Sequence, residues 1–127
     1  MTVAELTELF LMDMGYAKAD AAEPDVAAEY EGALLGWLNE GYRRAVRMIC
    51  GREAVKLVDA LQDDAGEPVK LDPTLHPYLA DYAAARGQEV RGHTAEAGAL
   101  YAAFERGIWE AADGGRRMER FGEWQRL

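Results

Sequence analysis

Apolar residues return at steps of three and four through four stretches of the chain, which predicts four helices. In residues 2–14, Val3, Leu6, Leu9, Phe10 and Met14 fall on one face. Thr2 followed by Glu5 has capping-box spacing, and Gly15 supplies a stop. A second helix is expected over residues 25–49, where Tyr30, Leu34, Leu38, Tyr42, Ala45 and Ile49 make the stripe and Trp37 and Val46 widen it. Its acids come first (Asp25, Glu29, Glu31) and its bases last (Arg43, Arg44, Arg47), an order that complements the helix dipole. The third helix follows the start signal Asp72-Pro73 and closes at Gly92, with Leu75, Leu79, Tyr82 and Arg86 as its stripe and Tyr78 beside it. Ala80, Ala83, Ala84 and Ala85 keep its surface thin, so a neighbouring helix can come close. The fourth runs from near Thr94 through Ala97, Leu100, Tyr101, Phe104 and Ile108 to about Ala112, where Gly114 and Gly115 are expected to break it.

Residues 51–71 are ambiguous. Two apolar runs, residues 54–58 and 68–71, flank the turn cluster Asp63-Asp64-Ala65-Gly66, which fits a short hairpin. Val55, Val58 and Leu61 also suit one or two helical turns. The expected fold is therefore all-α: an antiparallel bundle of about four helices with a small hairpin or loop inserted between the second and third. The bundle would occupy residues 1–113. Residues 114–127 would form a tail in which Met118, Phe121 and Trp124 recur at threes among Arg116, Arg117, Arg120 and Arg126. That tail is either a last helix folded back on the body or an arm that docks on a partner.

Composition narrows the class. A chain of 127 residues, 50% hydrophobic and 29% charged, can bury a core without metal or disulfide staples. Cys50 is the single cysteine and is expected to be a small buried apolar side chain beside Met48 and Ile49. No run approaches the roughly 20 apolar residues of a membrane span. The first residues carry Glu5 and Glu8 instead of the basic n-region of a secretory signal. Of the formal charge of −9, residues 1–40 contribute nine acids against Lys18, a net of −8. Such a surface repels a nucleic-acid backbone instead of gripping it.

Chemistry-bearing constellations are missing from the sequence. His76 and His93 are the only histidines, and neither follows a glutamate by three positions as a carboxylate-bridged metal bundle requires. One cysteine and two histidines make no zinc set, so neither metal nor cofactor is implied. The chain has no serine, Cys50 lacks a flanking base, and Asp63-Asp64 suits a solvated turn. An enzyme would need Asp81, Glu105 or His76 in a cleft with strongly perturbed acids. The expectation is a non-enzymatic protein that works through its surfaces.

Three stretches resemble phage head–tail connector (adaptor) proteins. Leu38-Asn39-Glu40-Gly41-Tyr42-Arg43-Arg44-Ala45 is similar to that family's Leu-Asn-x-(Ala/Gly)-Tyr-Arg pattern. Leu71-Asp72-Pro73-Thr74-Leu75-His76-Pro77-Tyr78-Leu79-Ala80-Asp81-Tyr82-Ala83-Ala84-Ala85-Arg86 resembles its Leu-Pro-x-x-Leu-His-x-x-Leu-x-x-Tyr-Ala-x-Ala segment, with Asp72-Pro73 where the family has Leu-Pro. Tyr101-Ala102-Ala103-Phe104-Glu105-Arg106-Gly107-Ile108 looks like its closing Tyr-x-x-x-Phe-x-x-Gly stretch. The order and approximate spacing agree over about residues 30–110. The resemblance implies a virion protein, phage or prophage in origin, made in the bacterial cytoplasm and placed at the head–tail junction. There it would form a ring, dodecameric in such connectors, under the portal and above tail or stopper proteins. DNA would pass through without specific binding, and no membrane is involved. Arg116, Arg117, Arg120, Phe121 and Trp124 would then contact the portal. The alternative is a small cellular helical domain that binds a peptide or a partner helix.

Overall fold

The structure is a computed structural model describing residues 1–16, 30, 32–62 and 67–118, with side chains as far as Ala112. Five helices and one 3₁₀ turn account for most of this, and no strand occurs among the described residues. The helices are α1 (Val3–Asp13), α2 (Leu34–Cys50), α3 (Arg52–Val55), α4 (His76–Val90) and α5 (Thr94–Met118); the 3₁₀ turn is Pro73–Leu75. The protein is a helical bundle, as its periodicity predicts.

The capping box at the start of α1 forms as expected. Glu5 N–H donates to Thr2 Oγ1 at 3.2 Å, and Thr2 N–H donates to Glu5 Oε1 at 2.8 Å. Val3, Leu6, Phe10 and Met14 are buried, and Leu11 joins them on the same side. Asp72 starts the 3₁₀ turn by accepting from Thr74 N–H at 2.9 Å, and α4 follows directly. Gly92, at φ +80°, turns the chain from α4 into α5, where His93 N–H donates to the Gln88 carbonyl at 2.9 Å.

α4 is the central element and packs on α1, α2 and α5. Ala80, Ala83, Ala84 and Ala85 are fully buried, as the thin-surface reading requires. Gly41 of α2 meets Tyr82, and Gly107 of α5 meets Tyr78, at two close helix approaches. Phe10 stands edge-on to Tyr30 at 5.0 Å and tilted to Trp37 at 6.1 Å, which joins α1 to α2. Tyr82 stands edge-on to Tyr101 and Phe104, at 5.5 and 5.1 Å, which joins α4 to α5. The Arg91 guanidinium lies 5.6 Å from the centres of both the Tyr16 and Tyr30 rings.

Four expectations need correction. α2 begins at Leu34, not near residue 25: Tyr30, Gly32 and Ala33 form a turn in which the Tyr30 carbonyl accepts from Ala33 and Leu34. Residues 17–29 lie outside the described part. The insertion between α2 and α4 is no hairpin among the described residues but a single helical turn, α3, followed by loop. Asn39 holds that loop, accepting from Leu61 N–H at 2.7 Å and donating to the Leu61 carbonyl at 3.2 Å. The α5 backbone stays helical through Gly114 and Gly115 to Met118, so no break separates the bundle from residues 114–118. Cys50 is exposed. It ends α2 one position beyond Ile49, and a rotation of about 100° per residue carries it off the buried face.

Candidate docking groove between α2 and α5

The buried face of α2 is Leu34, Trp37, Leu38, Gly41, Tyr42, Ala45 and Val46. Helical spacing then puts Glu40, Arg44, Arg47 and Met48 along one flank, with Arg43 turned to solvent. On α5, Glu105 and Trp109 are four residues apart and share a face. Arg44 and Glu105 form an ion pair that ties the two helices together. Beyond that pair, Arg44, Arg47, Met48 and Trp109 line a groove of about 390 Å³. Trp109 is 45% exposed. Arg43 and Arg47 have no ion pair among the described residues, so this flank presents positive charge on a strongly acidic chain.

Above the groove, α2, α4 and α5 share a polar network. Glu40 Oε1 accepts from the Tyr82 hydroxyl at 3.3 Å and lies 3.5 Å from Arg86 Nε. Arg86 also reaches Glu89 at 3.7 Å, and the Tyr101 hydroxyl donates to Glu89 Oε1 at 2.7 Å. Burial, and then the Glu89 bond, push the Tyr101 hydroxyl up to about 12. These pairs fix the relation of three helices and so the width of the groove below them. A second cavity of about 350 Å³ sits at the far end, where Ile49, Leu71, Leu75 and Ala111 provide its apolar lining.

The residues singled out for chemistry do not converge. His76 is buried: its Nε2 faces the Leu71 carbonyl at 3.3 Å, and its Nδ1 lies 2.6 Å from the Met1 amine, which also contacts Glu67. His93 pairs through Nδ1 with Gln88 Oε1 at 2.8 Å as part of the α4–α5 turn. Asp81 does have a perturbed carboxyl, pushed up to about 8 by burial first and then by the hydrogen bond and charge of Asp13. Asp81, Glu105 and His76 line neither described cavity. Among the described residues no three His, Cys, Asp or Glu side chains are placed to hold one metal ion, and no helix is long and apolar enough to cross a membrane. Asp63 and Asp64 lie outside the described residues, as do Arg120, Phe121 and Trp124; Arg116 and Arg117 are placed by backbone alone, on the last turns of α5.

The groove itself escaped the sequence reading. Arg43, Arg44 and Arg47 read there as charges complementing a helix dipole, and Trp109 belongs to no periodic stripe. The only available signal was the pair of large apolar residues, Met48 and Trp109, placed off the buried faces. Neither family models, curated proteins nor solved structures give a match to this chain.

Proposed function

We propose that the protein is a structural phage head–tail connector, which self-associates as a ring beneath the portal and lengthens the channel through which DNA leaves the capsid. The observation that carries this reading is the separation of charge: residues 1–40 hold a net −8, while Arg43, Arg44 and Arg47 edge a groove that also offers Met48 and Trp109. Opposed charges on different surfaces favour copies that meet head to tail, and such contacts close into rings when the rotation allows. The three connector-like stretches between residues 38 and 108 point the same way. In this reading Arg116, Arg117, Arg120, Phe121 and Trp124 engage the portal, and the acidic surface keeps DNA from adhering. The protein acts at the head–tail junction of the virion and performs no catalysis.

The test is truncation after Met118, which retains all of α5 and removes Arg120, Phe121 and Trp124. The shortened chain is expected to keep its far-ultraviolet dichroism and to lose binding to portal rings from the same genome. Undiminished portal binding overturns the tail assignment. A stable one-to-one complex with a peptide, without ring formation, would move the protein to the class of helical interaction domains.

A further inference from the structure

We infer that the α2–α5 groove is the seat for the outer face of α1 from a second copy, with Met12 as the inserted side chain and Glu5 and Glu8 as its charged flanks. The inference rests on the connector reading and names the surfaces through which neighbouring copies would meet.

Both halves of the contact are present in one chain. Glu5, Glu8 and Met12 follow each other at steps of three and four, directly opposite the buried face Val3, Leu6, Phe10 and Met14. Met12 is 46% exposed, one of few large apolar side chains left in solvent. Acids flanking an exposed methionine form the chemical converse of arginines flanking an exposed tryptophan. A thioether against an indole is a favourable contact, and the groove offers Met48 and Trp109 to receive it. The Glu5 carboxylate is held below its ordinary range by hydrogen bonds from Thr2, so it stays anionic in mildly acid solution. The chain as a whole repels copies of itself at −9, so association needs a local patch of opposite sign, which Arg43 and Arg47 supply.

Geometry makes the contact intermolecular. α1 and α5 both pack on α4, with little direct contact between them, so one chain cannot fold its own α1 into its own groove. A patch that differs from its partner patch gives a heterologous contact, which propagates from copy to copy instead of stopping at a two-fold pair.

The experiment uses the full chain and two exposed charge reversals, Glu8→Arg and Arg47→Glu, followed by sedimentation velocity over a wide concentration range at low ionic strength. Wild type is expected to associate, and added salt to weaken it. Each variant alone should associate at least roughly tenfold more weakly. An equimolar mixture of the two should recover, because every contact then joins either two native faces or two reversed ones. Circular dichroism of each variant establishes that both fold. Single variants that associate like wild type, a mixture that does not recover, or a wild type that remains monomeric throughout each overturn the inference. Rings that form on the portal with either single variant leave the connector reading standing and remove this seat. Recovery in the mixture without portal binding does the reverse.

Discussion

Gly41 on α2 lies so close to Tyr82 on α4 that a Cβ built on it would stand 3.0 Å from both Cβ and Cγ of the tyrosine. Those atoms are fixed to the α4 backbone, so relief requires the helices to part. Gly41→Ala is therefore expected to cost about 1–3 kcal/mol of overpacking. Gly36, on the exposed side of the same helix, has open space around its Cβ position. Gly36→Ala should raise stability by about 0.5–1 kcal/mol. Urea unfolding of both variants checks the pair, and equal effects would contradict the close approach.

Asn39 is the clamp on the loop after α3. Its amide bonds the Leu61 backbone in both directions and the Leu35 carbonyl as well. Asn39→Ala leaves the Leu61 amide without its partner, at an expected cost of about 1–3 kcal/mol. Hydrogen exchange at Leu61 should quicken in this variant, while exchange in α4 stays slow.

Asp81 sets the sign of one pH response. Its folded-state pKa of about 8 exceeds the model value of 3.8. Between these values the folded chain holds a proton that the unfolded chain has released. Stability from this group is thus fully present in acid and falls as pH rises from about 4 to about 8. Solvent reaches a half-buried carboxyl, so the effect is on the order of 1 kcal/mol, not the full shift. Asp81→Asn keeps a hydrogen-bond donor toward Asp13 and should raise the Tm at pH 8 by roughly 3–5 °C, with little change at pH 4. A parallel rise at both pH values would contradict this origin.

What could be read from the sequence was local. The Thr2–Glu5 box, the Asp72-Pro73 start and the alanine face of α4 each depend on residues within a turn or two of one another, and each is found as expected. The start of α2 was hidden because the Tyr30 carbonyl accepts from Leu34 N–H as a helical residue would. The apolar phase therefore runs unbroken through a turn. The groove depends on Arg44 meeting Glu105, 61 residues later, and no local pattern carries that information.

The glycines near the end of α5 give a further check. Gly114 and Gly115 fall within the helix, and neither is among the glycines with positive φ. Alanine at either position is expected to add about 0.5–1 kcal/mol to helix stability. An increase in helical dichroism measures it, and a decrease would mean that the chain needs glycine conformations there.

α5 also has a mechanical consequence. At 1.5 Å per residue its 25 residues extend about 37 Å, whereas the 15 residues of α4 reach only about 22 Å. Tyr101 and Gly107 sit against α4, so the turns beyond Ala112 overhang it like the free end of a beam. A flexible leash would raise only the local concentration of whatever it held. A beam also hands on torque and bearing: a load at its tip turns α4 and α2, and the width of the α2–α5 groove becomes a gauge of that load.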